Sequence, residues 1–312
     1  MTLSPVEQLN SPLFNKHDVS VFVKRDDLIH PIISGNKWRK LQYNLAEAKK
    51  LGYKGVISFG GAYSNHLHAL AFACHQQGLT AKLIIRGEPS YAQNYTLRCA
   101  KHWGAHLLFV DRATYRRRTD PEFRAQLSND YPELMLIPEG GTNSLALRGV
   151  REVMTELETQ QTFDTIMTPV GSAGTLSGLI CGAKGQQVLG VAVLKQAQYL
   201  VDEIQSLLKT QKCSYNNWQL LTDYHQGGYA KFSQQDLTRI QNFMKETGLP
   251  LEPIYSGKMI CAFLTLLEQG FFNKGHRIML LHTGGLQGLY GLAEQNRIKA
   301  DEWPLPHEIP AR

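Results

Sequence analysis

Lys37 lies in SGNKWRK (residues 34–40), just after the acidic pair of VFVKRDD. An amine becomes a nucleophile near neutral pH only when desolvation or nearby positive charge disfavours its ammonium form. The turn former Asn36 predicts a helix start here, where unpaired backbone N–H groups and the helix dipole oppose a cation. Arg39 and Lys40 push the same way. Such a lysine suits Schiff-base chemistry with a carbonyl compound. The alternative is an ordinary surface lysine, and the physics of these residues alone favours it.

Other stretches join glycine to hydroxyl or amide side chains: GGAYSNH (60–66), EGGTNS (139–144), GSAGT (171–175) and HTGG (282–285). In GSAGT, Gly171 and Gly174 permit tight turning, and Ser172 and Thr175 add hydroxyl donors. With Ala173 and the following helix start they would make a phosphate cradle. An ordinary glycine turn remains open as well. The Walker loop GxxxxGK[ST] and the dinucleotide pattern GxGxxG are both missing, which argues against ATP and NAD. Ser64 and Asn65 read either as a helix cap or as pocket residues behind a buried strand.

These loops follow predicted strands. VSVFVKRD, GVISFGG, TAKLIIRG, AHLLFVD, FDTIMTPVG, QVLGVAVL and HRIMLLHTGG read as strands. Between them, NKWRKLQYNLAEAKKLG, SNHLHALAFACHQQG, YTLRCAKHWG, GTLSGLICGAKG, KFSQQDLTRIQNFMKETG and SGKMICAFLTLLEQG read as helices. RRTDPEFRAQLSNDYP is polar and helical in pattern. The alternation predicts α/β domains with parallel sheets covered on both faces. A smaller domain is expected over 50–155, and a larger one over 1–49 and 156–312. In such sheets, ligands sit at the carboxyl ends of strands.

Composition narrows the class. The 312 residues carry a net charge of +6, with pI near 9.0. The positive charge does not gather into a nucleic-acid surface, because Arg116, Arg117 and Arg118 are flanked by aspartates and read as a solvated helix face. No nucleic acid is expected as partner. No apolar run has the length of a membrane span, and MTLSPVEQLNSP lacks the pattern of a secretory signal. The expectation is a cytoplasmic enzyme without membrane attachment. Cys74, Cys99, Cys181, Cys213 and Cys261 show no metal-ligand spacing, and no metal site is predicted. Cys74 and Cys181 read as reduced core thiols.

VFVKRDDL, SGNKWRKL, GGAYSNH, EGG, GSAGT, PIYSGK and HTGG, in this order, resemble the fold type II pyridoxal-phosphate enzymes, the tryptophan synthase beta-subunit superfamily. Within it the chain is similar to the 1-aminocyclopropane-1-carboxylate deaminase and D-cysteine desulfhydrase family. The resemblance implies two open twisted-sheet α/β domains with pyridoxal 5'-phosphate in the cleft between them. It implies that Lys37 holds the cofactor covalently and that Asn65 meets its phenolic oxygen. Ser64 would contact the substrate carboxylate or assist proton transfer. Gly171, Ser172, Ala173, Gly174 and Thr175 would bind the phosphate. Tyr229 and Tyr255 would line the site, Tyr255 as a candidate acid or base. A homodimer and a small amino-acid substrate are also implied.

Departures bear on the substrate. Deaminases of this family carry glutamate facing the pyridine nitrogen where this chain has Ser256, and leucine where it has Thr283. A serine cannot protonate the ring as a carboxylic acid can, so a neutral nitrogen and a weaker electron sink are expected. Tyr63 replaces a usual glutamine and is expected as a bulky aromatic beside the substrate. The resulting expectation is a D-cysteine desulfhydrase-like lyase, making a 2-oxo acid and ammonia. The alternatives are 1-aminocyclopropane-1-carboxylate deaminase and a non-catalytic pyridoxal-phosphate binding protein.

Overall fold

Apolar runs broken by glycine become strands, and the longer periodic runs between them become helices. A computed structural model describes residues 3–33 and 35–306 and contains ten strands among them. They are β1 (Val6–Leu9), β2 (Ser20–Lys24), β3 (Gly55–Gly61), β4 (Thr80–Arg86), β5 (His106–Val110), β6 (Leu134–Leu136), β7 (Thr165–Val170), β8 (Gln187–Ala192), β9 (Trp218–Leu221) and β10 (Arg277–Leu281). Two compact units divide them. One comprises Met1–Ile29, Ser34–Asn36 and Val150–Leu286; the other comprises His30–Ile33, Lys37–Gly149 and Gln287–Arg312.

The first unit holds a six-stranded sheet in the order β1-β2-β10-β7-β8-β9. Its strands are parallel except β1, which pairs antiparallel with β2, Val6 opposite Lys24. The sequence analysis expected parallel strands only. The chain between Leu9 and Ser20 explains the difference, since a parallel return needs a crossover of about a dozen residues or more. β7 and β8 are buried along almost their whole length, as expected of strands covered on both faces. The helix Ala173–Gly182 packs its small apolar residues into this core, with Val170, Ile166 and Leu200 among its neighbours. The helix Ser256–Glu268 buries both of its faces, from Ser256 to Leu267.

The second unit holds a four-stranded parallel sheet in the order β5-β4-β3-β6. The helix Asn65–Gln77 runs between the cap Ser64 and the left-handed Gly78 (φ 65°). Leu41, Leu45 and Ala48 of the helix Asn36–Lys50 enter the same hydrophobic cluster as Leu67, Leu70 and Tyr290. Apolar packing therefore joins that helix and the segment after residue 287 to this unit, outside the 50–155 span drawn from sequence. Lys49 and Lys50 complement the helix dipole in its last turn.

The helices Ser144–Gln160, Tyr199–Thr210 and Gly288–Glu294 and the strand β9 had no counterpart in the sequence reading. Cys74 is buried as expected. Cys181 is a free thiol, half-buried rather than buried, and packs with Cys213 against the core of the first unit. Arg117 pairs with Asp120 on an exposed face, whereas Arg118 reaches the Glu139 carboxylate. No helix among the described residues is long and apolar enough to cross a membrane.

Candidate active site

In the second unit, Lys37 stands in the first turn of the helix Asn36–Lys50. It keeps some solvent access, yet dense protein surroundings push its amine down to about 8. Desolvation is the cause that dominates this shift. Three residues on, Lys40 is wholly buried and donates to the Gly140 carbonyl and the Thr142 hydroxyl, each at 3.2 Å. Burial, and then the charge of Lys37, hold Lys40 well below the usual amine range. His66 feels the same surroundings. Burial first, and then Lys37 and Lys40, keep its imidazole neutral, with Nε2 at 2.8 Å from the Ser58 hydroxyl.

Ser64 precedes this histidine and caps its helix, its hydroxyl accepting the Leu67 N–H at 3.3 Å. The cap reading of Ser64 is thus realised, and the hydroxyl hydrogen is still available to donate. Asn65 is the first helical residue, and its Oδ1 lies 3.5 Å from where a Cβ on Gly288 would stand. Tyr63 is half-buried and rests on two neighbours. Its ring lies edge-on to Tyr91 at 6.1 Å and covers Gly291, where a Cβ would meet it at 2.7 Å. Its hydroxyl bonds Gln295, so the ring is committed to the helix Gly288–Glu294.

In the first unit, the chain enters the Lys37 helix through a tight joint. Gly35 has a left-handed backbone (φ 66°), and a Cβ there would stand 1.8 Å from the Thr283 carbonyl oxygen. Only glycine fits. Asn36 then ties two predicted loops together. Its N–H donates to the Thr283 carbonyl at 3.3 Å, and its Nδ2 donates to the Thr175 hydroxyl at 2.8 Å. Thr175 keeps its own hydrogen to donate.

Gly171 ends β7, and Ser172 leads in extended conformation into the helix Ala173–Gly182 without capping it through its side chain. Backbone N–H groups at such a helix start, beside Ser172 and Thr175, are suited to an anion. A Cβ on Gly171 would strike the Tyr255 ring at 2.8 Å, so Tyr255 closes over this loop. The Tyr255 and Tyr229 hydroxyls are 3.4 Å apart, and their rings meet edge to face at 6.0 Å.

Two residues overlooked in the sequence support this tyrosine pair. Lys258 is buried and donates to the carbonyls of His225 (2.7 Å), Val193 (3.5 Å) and Gly228. It thereby clasps the loop bearing Tyr229, in which Gln226, Gly227, Gly228 and Ala230 all have positive φ. Glu252 is buried before the helix Ser256–Glu268 and bonds Ser256. Its signal lay in EPIYSGK, an acidic residue shortly before a helix start.

In one unit a lysine amine held down by burial suits an aldehyde, and in the other a helix-start loop beside a tyrosine pair suits a phosphate, features of the class of enzymes that hold a phosphorylated aldehyde cofactor. The sequence matches the family described as pyridoxal-phosphate dependent enzyme over residues 4–284, and the chain belongs to it. It is 33% identical, over 304 residues, to a Thermotoga maritima protein provisionally named 1-aminocyclopropane-1-carboxylate deaminase, covering 92% of this chain and 95% of that one. It is 28% identical to the mitochondrial bifunctional D-cysteine desulfhydrase/1-aminocyclopropane-1-carboxylate deaminase of Arabidopsis thaliana, covering 96% of this chain and 80% of that one. A crystal structure of an ACC deaminase homologue superposes with a TM-score of 0.83 at 26% identity, covering 95% of this chain and 93% of the other. The cofactor is accordingly pyridoxal 5'-phosphate. The donor set fits it: a depressed amine for the aldehyde, and small residues with free-turning backbone for the phosphate.

Proposed function

We infer that the protein is a pyridoxal-phosphate dependent lyase of the deaminase type, converting a small amino acid to a 2-oxo acid and ammonia. The observation that carries this reading is Lys37, whose amine is held at about 8 by desolvation. When bound, the cofactor draws electrons away from the substrate's α-carbon and so weakens the bonds there. Lys37 would hold the cofactor through its amine, and that amine, held at about 8, is suited to take a proton from the substrate. Gly171, Ser172, Ala173, Gly174 and Thr175 would bind the phosphate, and Asn65 would hold the phenolic oxygen. Ser64 donates to the substrate carboxylate. Tyr255 gives or takes a proton beside the substrate, with Tyr229 as its hydrogen-bonded partner. By the family resemblance, Ser256 would meet the pyridine nitrogen and Thr283 would line the ring.

The names of the relatives support 1-aminocyclopropane-1-carboxylate as the first substrate, hydrolysed to 2-oxobutanoate and ammonia. D-cysteine, which the sequence alone put first, is the second reading. It would give pyruvate, hydrogen sulfide and ammonia with one water consumed. Ser256 and Thr283 favour it, and the Arabidopsis relative's name joins both activities.

The test begins with the absorbance of purified protein after addition of pyridoxal phosphate. A band that Lys37→Ala removes is expected. 2-Oxobutanoate from the cyclopropane substrate supports the first reading, and sulfide with pyruvate from D-cysteine the second. A band without product from either, or from other D- and L-amino acids, would leave a binding protein. No band would end the Lys37 assignment.

A further inference from the structure

Ser256 is not an isolated hydroxyl. Its oxygen lies 3.0 Å from Glu252 Oε1 and 3.2 Å from the Glu252 carbonyl oxygen, and it accepts the Glu252 N–H at 3.1 Å. The hydroxyl has one hydrogen, and both oxygens within its reach are acceptors. What Ser256 then offers to a further partner is a lone pair, not a hydrogen. The Glu252 carboxylate also accepts the backbone N–H groups of Ile254 (2.7 Å), Tyr255 (3.0 Å) and Ser256 (2.6 Å). Burial raises its pKa, and those hydrogen bonds oppose the rise. The backbone N–H groups of Ile254, Tyr255 and Ser256 can only donate, and three such bonds favour the ionised carboxylate against its burial.

We propose that Glu252, acting through Ser256, keeps a proton on the pyridine nitrogen of the bound cofactor: Ser256 accepts from the ring N–H while giving its own hydrogen to Glu252. This rests on the placement of Ser256 at that nitrogen under the function proposed above. It reverses what the serine alone implies. A lone serine would donate to a neutral nitrogen, whereas this one is committed to a carboxylate. The ring then retains positive charge and withdraws electrons strongly, and the glutamate does from behind the serine what a carboxylate at position 256 would do directly. Glu252 is a positioning residue, because it reaches the cofactor only through Ser256. It also caps the helix Ser256–Glu268, so stability alone cannot measure its effect on the ring.

The decisive readout is the ¹⁵N resonance of ring-labelled pyridoxal phosphate reconstituted into the protein at pH 7. The wild type is expected at the position of a protonated pyridine. Ser256→Ala leaves the carboxylate cap in place and should move the signal to that of the unprotonated ring. Glu252→Gln, with circular dichroism like the wild type, should do the same. An unprotonated ring in the wild type overturns the proposal, as does a ring still protonated in Ser256→Ala or in folded Glu252→Gln. If Glu252→Gln fails to fold, Ser256→Ala decides. A ¹⁵N result of either kind presupposes the Lys37 absorbance band. Loss of that band would overturn the underlying reading together with this one, whereas a normal band with a neutral ring would overturn this one alone.

Discussion

Burial holds the Lys37 amine at about 8, and its proposed role as cofactor anchor then has a measurable consequence. Its amine is charged below about pH 8 and neutral above it. Only the neutral amine attacks an aldehyde. The rate at which the apoprotein captures pyridoxal phosphate should therefore climb as pH rises through 8 and level off above it. Stopped-flow absorbance would show this. A profile still climbing toward pH 10.5, the ordinary lysine value, would mean that desolvation does not govern the amine. Burial is the chief cause at Lys37, and at Lys40 and His66 the repulsion of neighbouring amines adds to burial.

At the scale of elements, the helix Ser256–Glu268 does more than supply Ser256. Through Lys258 it holds the loop of residues 225–230, whose run of positive φ values would not persist unsupported. Lys258→Met keeps the bulk and removes the donor, leaving buried carbonyls at Gly228 and His225 without their cation. The expected cost is on the order of 3 kcal/mol of stability, read from urea unfolding. Tyr229 would lose its fixed place against Tyr255, so turnover should fall more than substrate affinity. Stability within about 0.5 kcal/mol of wild type would show that the clasp carries little. Most elements here were legible in sequence because glycine stops and hydrophobic periodicity coincide, as in GVISFGG and the helix after it. The edge strand VEQL was not. It is short and its pairing depends on the chain returning beside it.

For the whole molecule, acid should be the weak side. His68 is buried between Tyr95 and Trp103, and burial lowers its imidazole to about 4 from an ordinary 6.5. The unfolded chain takes up that proton first, so the stability that His68 confers is complete above pH 6.5 and is lost as pH falls toward 4. The loss amounts to about 3 kcal/mol. His68→Phe keeps a ring in place and removes the titration, so urea midpoints measured from pH 7 to pH 4 should fall less steeply than in the wild type. Parallel pH curves for the two proteins would remove His68 from the account. His66 is depressed in the same direction and sharpens the decline.

The sequence by itself determined the alternation of strand and helix, the glycine loops and the order of motifs that marks a pyridoxal-phosphate enzyme. These are local properties. Periodicity, turn chemistry and short motifs are written in neighbouring residues. The tertiary structure decided what depends on distance. It placed helix Asn36–Lys50 in the core of the smaller sheet, turned Tyr63 onto Gly291, and set Lys258 under the Tyr229 loop. It also put a carboxylate behind Ser256. A serine's role depends on where its single hydrogen points, and that direction is fixed by a partner the serine's own neighbours in sequence do not specify until the chain turns back on itself.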